Sequence, residues 1–300
     1  MEMRVLVLYN PVAGGRNREL FLQKIGHEFG KFGLTHTVLH TTGSNDDARI
    51  RNVMQEFNPD SILVLGGDGT INLAASAIIH TQVVLGIIPF GSANGMAFEL
   101  GIDSNENIAL ENFIKSRYVS EVDILWINEE YYCIHIGDVG LNAQVVEGFS
   151  REKERGMGTY ARHFLRELTQ SEMMEFHITA DGHEYTEHGY MLAFANARCY
   201  GTGVVLNWLG NPYDGKFELV IAQSLELKSL LIAGLSRFNN EIARAAEGSR
   251  IISCKEAKIK LAIPVTAQAD GEVFGKFSEL NIAIIPRAVR VVRVNPEYLG

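Results

Sequence analysis

No part of this 300-residue sequence stays apolar for long. Runs such as Leu230 to Leu235 last only a few residues, whereas a helix crossing a bilayer needs about 20, so no membrane-spanning helix is expected. Cysteine is scarce: Cys133, Cys199 and Cys254 are the three present, far apart in apolar surroundings. They lack the paired spacing of a zinc site or disulfide framework and read as core thiols. Positive charge is in deficit, with 27 Lys and Arg against 36 Asp and Glu, a net charge of -9. That balance repels nucleic-acid backbones, so nucleic acid is not an expected partner. The opening Met1-Glu2-Met3-Arg4-Val5-Leu6 enters a strand-like run without the basic region and cleavage site of a signal peptide, and a cytoplasmic location is the expectation. Two phosphate-binding signatures are also missing: the Gly-Lys-Ser/Thr of a Walker A loop, and a G-x-G-x-x-G after the first strand.

What is present is a chain long enough for two domains with real cores. Up to about residue 120 two periodicities alternate. Val5 to Leu8 reads as a strand, and Phe21, Ile25, Phe29 and Phe32 follow at helical spacing. Thr35 to Leu39 is a strand; Ile50, Val53, Met54 and Phe57 share a helical face; Ile62 to Leu65 is again a strand. A third cycle has a helix from about Thr70 to Ile79, a strand from Val83 to Ile88, and a helix entered near Ala93. Apolar strands alternating with helices imply a parallel sheet covered on both faces. From about Ser120 the period becomes two: Asp123 to Ile127, a turn at Asn128-Glu129-Glu130, then Tyr131 to Ile136. Glu175 to Ala180, the turn Asp181-Gly182, Tyr190 to Asn196 and Ala257 to Ile263 continue the antiparallel pattern. Two helices interrupt it, one bearing Tyr160, Phe164 and Leu168, the other from about Ser229 to Ala246. The expected division is an α/β domain over 1–120 and a β domain over 121–286, with 287–300, including the run Val289 to Val294, rejoining the first.

Ligands in α/β sheets sit at the carboxyl ends of the strands, and three loops there carry chemistry. Asn10-Pro11-Val12-Ala13-Gly14-Gly15-Arg16 follows the first strand, and its adjacent glycines can present bare backbone N–H groups to a phosphate. An ordinary Asn-Pro turn reads the same way. Gly66-Gly67-Asp68-Gly69-Thr70 lies between a strand and a helix for which Thr70 is a candidate N-cap. Glycines allow close backbone approach and a helix N-terminus favours negative charge, so an aspartate there needs Mg²⁺ or a hydroxyl proton to face. Asp68 is thus a candidate for orienting metal-bound phosphates or accepting an alcohol's proton, with helix capping as the structural alternative. Pro89-Phe90-Gly91-Ser92-Ala93-Asn94-Gly95 follows the fourth strand and adds a hydroxyl, an amide and backbone donors. Alone, it is a Gly-rich turn capped by Ser92.

Taken together the loops resemble the lipid kinase superfamily with a diacylglycerol kinase catalytic domain, which includes bacterial diacylglycerol kinases, sphingosine kinases and ceramide kinases. The resemblance covers nearly the whole chain. Asn10 to Gly14, Gly66 to Asn72 and Pro89 to Asn94 are similar to three of its motifs, and Ala269-Asp270-Gly271-Glu272 to a fourth. It implies a doubly wound nucleotide-binding domain followed by a mainly antiparallel β-sandwich, with ATP between them. It implies nucleotide contacts at Asn10, Pro11, Val12, Ala13 and Gly14, at Thr42, at Gly66, Gly67, Asp68, Gly69, Thr70, Ile71 and Asn72, and at Ser92 and Asn94. Thr42 carries no signal of its own. The resemblance also implies that Glu272 takes the lipid hydroxyl's proton with Asp270 nearby. Asp68, Asp270 and Glu272 all stand as candidates, because phosphoryl transfer rests mostly on positioning and charge neutralisation. Asp181-Gly182 reads as a plain hairpin turn.

Asn211-Pro212-Tyr213-Asp214-Gly215-Lys216 resembles the structural magnesium loop of the bacterial members. By that resemblance Asp214 supplies the side-chain ligand, and Asn211 and Lys216 contribute backbone carbonyls, since an ammonium cannot ligate a cation. A turn between strands is the plain alternative. One departure concerns the substrate: many diacylglycerol kinases read Gly-Thr-x-Asn-Asp where this chain has Gly91-Ser92-Ala93-Asn94-Gly95, a form closer to sphingosine and ceramide kinases. The expected function is ATP- and Mg²⁺-dependent phosphorylation of a lipid such as diacylglycerol or a sphingoid lipid. Transient contact with a membrane surface is expected, and a homodimer is an admissible assembly. Candidate contact points are Ser150 to Gly156 with the following Arg162, Phe164, Leu165 and Arg166, and the tail Arg287, Arg290 and Arg293, each also readable as a solvated face. The alternatives are an NAD kinase or sugar-phosphate kinase, which also carry a Gly-Gly-Asp-Gly-Thr loop, and a nucleotide- or lipid-binding protein without catalysis.

Overall fold

A computed structural model describes residues 3–15, 19–91, 93–116, 118–140, 172–200, 204–223 and 249–293. The chain divides into two compact units, Met1–Val122 with Arg287–Gly300, and Asp123–Pro286.

In the first unit, strands β1 (Arg4–Tyr9), β2 (Thr35–His40), β3 (Ser61–Gly66) and β4 (Val84–Pro89) form a parallel sheet in the order β4-β3-β1-β2. Alternate residues of β1 show why these strands read as continuously apolar. Val5, Val7 and Tyr9 share a core with Phe21, Ile25 and Phe29 of helix α1 (Glu19–Lys31) and with Ala109, Leu110 and Phe113 of helix α5 (Glu106–Lys115). Leu6 and Leu8 point to the opposite face and are equally buried, where α2 (Asp46–Phe57) and α3 (Asp68–Ala77) pack on each other and on β1 and β3. The end of the last strand, β16 (Glu272–Arg293), pairs in parallel with β4 through Arg290 and Val291.

The second unit is built from antiparallel pairs. Its path runs β14 (Ser249–Cys254), β13 (Phe217–Ala222), β10 (Met191–Ala195), β7 (Ile136–Gly140), β15 (Glu256–Ala269), β16. β8 (Met174–Ala180) and β9 (His183–Gly189) extend from β15, β5 (Tyr118–Ile127) pairs β16 and β6 (Tyr131–Cys133), and β11 (Cys199–Tyr200) with β12 (Val204–Val205) stands apart. One core joins Phe176, Phe194, Phe217, Ile259, Leu280 and their neighbours. Hairpins close on residue pairs with positive φ, Asn128-Glu129 (51°, 58°), Asp181-Gly182 (46°, 80°) and Asp270-Gly271 (50°, 84°). Two consecutive left-handed residues are what a two-residue turn matched to strand twist demands.

Several expected boundaries shift, each for a visible reason. Phe32 lies beyond α1 and is exposed, because Gly33 (φ +67°) ends the helix, with Leu34 N–H donating to Phe29 O at 3.0 Å. That is a left-handed glycine C-cap. The helix after Gly66 begins at Asp68 with Gly67 as N-cap, two residues before the expected Thr70. The next helix, α4 (Gly95–Glu99), starts two residues after the expected Ala93. The run Tyr131 to Ile136 breaks at Ile134 and His135, whose N–H groups turn to the Asp270 carboxylate. Of the basic tail, Arg293 is buried and Arg290 hydrogen-bonds Gln82, so these two do not form a solvent-facing stripe. Both expected helices after residue 150, with the basic segment Ser150 to Arg166, lie outside the described residues.

Candidate active site

The carboxyl ends of β1, β3 and β4 bring the three loops of the first unit together, and glycine lets them touch. A Cβ on Gly14 would sit 2.4 Å from Phe90 O, and one on Gly91 would sit 2.5 Å from Gly67 Cα. Only residues without a side chain allow backbones this close. Asn10 joins the first loop to the second by donating from Nδ2 to Thr70 Oγ1 at 3.1 Å, while its Oδ1 accepts from Val12 N at 3.1 Å. Asp68 joins the second to the third: its oxygens accept from the N–H groups of Gly95 and Met96, each at 3.0 Å. The side chain thus caps α4, a helix other than its own. Asn94 folds back on Gly91, accepting from its N–H at 2.7 Å and donating to its carbonyl at 2.9 Å. The Ile71 side chain is in the core and its N–H is spent on Gly67 O. Asn72 receives the Ser76 hydroxyl on its carbonyl at 2.7 Å. Ser92 lies outside the described residues.

Thr42 belongs to a separate cluster before α2. Asp46 accepts from the N–H groups of Thr42 and Gly43 and from the Arg49 guanidinium, and the exposed Thr42 hydroxyl donates to it at 3.0 Å. Burial works to raise the Asp46 pKa, but the hydrogen bonds outweigh it and hold the carboxyl below its ordinary value. Neither Asp46 nor Arg49 stood out in the sequence; Thr42 followed four residues later by Asp46 was the available signal.

In the second unit the acidic pair separates into two environments one residue apart. Asp270 is 4% exposed, and its carboxylate accepts from the N–H groups of Ile134, His135 and Ile136 at 2.9, 2.9 and 3.3 Å. The Cys133 thiol donates to it as well, and burial first, then the Asp270 charge, push that thiol's pKa far up. Glu272, the first residue of β16, is exposed to solvent. Asp270 is therefore occupied in holding backbone, whereas Glu272 lies at the exposed start of β16.

A family model described as the diacylglycerol kinase catalytic domain matches residues 4–127, and one described as the YegS C-terminal NAD kinase beta sandwich-like domain matches residues 137–293, over half of the chain. The chain belongs to this lipid kinase superfamily. It is 26% identical over 310 residues to a "Probable lipid kinase YegS-like" protein of Yersinia enterocolitica, covering all of both chains. It is 26% identical over 242 residues to a diacylglycerol kinase of Mycobacterium tuberculosis, covering 78% of this chain and 77% of that one. Its fold is that of a crystal structure described as a diacylglycerol kinase from Bacillus anthracis, with a TM-score of 0.73 at 19% identity, covering 98% and 97% of the two chains.

Within this member of the family the loop Asn211 to Lys216 is a tight turn. Asp214 Oδ1 accepts from Lys216 N at 2.9 Å, Asn211 Oδ1 accepts from Tyr213 N at 3.2 Å, and the buried Asp123 accepts from Gly215 N at 2.7 Å. Asp214 is exposed, and the Asn211 carbonyl receives only a long bond of 3.4 Å from Asp214 N. One exposed carboxylate and a weakly engaged carbonyl fit a Mg²⁺ ion that keeps most of its water, the usual habit of that cation.

Proposed function

We propose that this chain is an ATP-dependent lipid kinase that transfers the γ-phosphoryl group of ATP to the hydroxyl of a lipid alcohol such as diacylglycerol or a sphingoid lipid. The observation that carries the reading is the interlock of the three loops: Gly14 against Phe90, Gly67 against Gly91, Asn10 on Thr70 and Asp68 on the Gly95 and Met96 amides. These contacts make one rigid backbone surface beside the N-terminus of α3, the kind of surface that cradles phosphate. In this reading the first unit is the doubly wound nucleotide-binding fold, and the protein touches a membrane transiently to reach its lipid.

The lipid oxygen attacks the γ-phosphorus as the bond from that phosphorus to the β,γ-bridging oxygen breaks. The hydroxyl proton passes to a carboxylate, and ADP departs. Glu272 is the base in this reading, because it is exposed whereas Asp270 is buried and Asp68 half-buried. Asn10 and Asp68 keep the loops in register so that the phosphates meet a fixed array of donors. When bound, Mg²⁺ neutralises phosphate charge, and Asp214 with the Asn211 and Lys216 carbonyls would hold a structural ion.

The test is incubation with γ-labelled ATP, Mg²⁺ and either a dispersed total lipid extract or NAD. Label is expected in the lipid fraction, where mass spectrometry before and after reaction identifies the acceptor. Label appearing only in NADP overturns the lipid reading in favour of an NAD kinase, and no transfer to any acceptor with ATP still bound points to a binding protein.

A further inference from the structure

Directly across the β7–β15 pairing, Asp138 stands opposite Gln268, and both side chains are buried, at 0% and 1% exposure. Gln268 donates from Nε2 to Asp138 Oδ2 and accepts on Oε1 from the Gly271 N–H at 2.8 Å. The direction of this chain is dictated chemically. A carboxylate only accepts hydrogen bonds, so the amide's NH₂ end must turn to Asp138 and its carbonyl end must turn to Gly271. Asp138 and the Gly271 N–H together fix the orientation of Gln268, and Gln268 ties Asp138 to the peptide inside the turn from which Glu272 emerges.

The turn does not need this arrangement in order to form. Asp181-Gly182 adopts the same pair of left-handed conformations between β8 and β9, and among the described residues no side chain holds the Gly182 N–H there. Burying a carboxylate and an amide costs free energy that a plain turn would not justify. We propose that Asp138 and Gln268 are a positioning pair that aims the Glu272 carboxylate for phosphoryl transfer. This rests on the reading of Glu272 as the base.

The experiment measures kcat and the ATP KM of the whole 300-residue chain with the same dispersed lipid extract, together with thermal unfolding. Asp138→Asn keeps the chain of hydrogen bonds, because the Gly271 N–H still requires the Gln268 carbonyl and the new amide's oxygen accepts from Gln268 Nε2, whereas Gln268→Glu sets two carboxylates against each other. Gln268→Glu is expected to lose about 10- to 100-fold in kcat while the ATP KM stays roughly constant, as supporting residues around a reacting group do, and Asp138→Asn is expected to stay within about tenfold of wild type. The decisive variant carries both changes. There the new amide at 138 donates to the new carboxylate at 268, whose second oxygen still accepts from Gly271, so kcat should recover to within about tenfold of wild type. Wild-type kcat in Gln268→Glu overturns the proposal, and so does a double variant that unfolds like wild type yet is no faster than the slower single. A parallel loss of stability, kcat and ATP affinity that the double change does not repair also overturns it, as that marks a purely structural role. Glu272→Gln separates the two readings. Full turnover in that variant removes the base assignment itself, whereas an inactive Glu272→Gln beside a fully active Gln268→Glu removes only the positioning pair.

Discussion

Asp68, Asp270 and Glu272 are the three candidate carboxylates, and their surroundings differ. Asp68 and Asp270 each bind backbone N–H groups from another segment, so their first effect is on structure. Asp68→Asn replaces one acceptor with a donor and leaves the Gly95 or Met96 N–H without its partner. Urea unfolding should register a loss of about 1–3 kcal/mol, alongside reduced turnover. Asp270 and Asp181 give a matched comparison, since Asp181 likewise accepts from the N–H groups of Lys255 and Glu256, but in an exposed turn. Asp270→Ala strands buried donors and should cost about 1–3 kcal/mol for each group left unsatisfied, whereas water replaces the Asp181 contacts and Asp181→Ala should cost about 1 kcal/mol or less. The sequence showed two Asp-Gly pairs in hairpin positions. It did not show which was buried, because burial depends on strands from distant parts of the chain. Gly91 raises the same point about reach: its place in a Gly-rich loop was readable, but the backbone it touches at Gly67 was not. Gly91→Ala forces a Cβ against that backbone and should cost about 1–3 kcal/mol of stability, with weaker ATP binding by calorimetry.

At the scale of elements, local pattern placed strands and helices well wherever the chain's own turns decided the outcome. β1, β3 and α2 lie where their apolar spacing put them, and the turns at Asn128-Glu129 and Asp181-Gly182 sit where turn residues stood. The misses came from capping and from tertiary hydrogen bonds. Gly33 ended α1 before Phe32, and Asp270, more than 130 residues along the chain, broke the run from Tyr131 to Ile136. Helix α5, absent from the sequence reading, starts at Asn105, whose side chain accepts from the N–H groups of Asn107 and Ile108. The start of α2 has a pH consequence. The Asp46 carboxyl titrates lower in the folded chain than in the unfolded one. Its hydrogen bonds therefore contribute in full above the unfolded carboxylate range near pH 4 and are lost as pH falls through the lower folded value. Asp46→Asn should remove about 1 kcal/mol at neutral pH and flatten the fall in stability as pH drops below the unfolded carboxylate range near pH 4. Unfolding midpoints measured through that drop in both proteins would show the two curves converging at the acid end.

The chain as a whole passes between its two units twice, after Val122 and after Pro286. All the candidate nucleotide loops precede residue 96, yet the sheet that presents them is completed by residues some two hundred positions later. An apolar run reads alike whichever sheet receives it, so only the observed pairing of Arg290 and Val291 with Val84 and Leu85 names the neighbour. Ala288, Val289 and Val291 are almost fully buried there. Burying the two valines alone is worth about 3–6 kcal/mol, a large share of the roughly 5–15 kcal/mol that holds a domain together. Deleting them would also leave β4 as an open apolar edge, which invites aggregation. A fragment of residues 1–122 should therefore fail to fold although it contains every loop proposed to bind ATP. The same fragment joined through a flexible linker to residues 287–300 should recover solubility, a cooperative thermal transition and ATP binding. Equal folding of the two fragments would show that the closing strand adds nothing to the first unit, and failure of both would show that the first unit depends on the second for more than the return of its last strand.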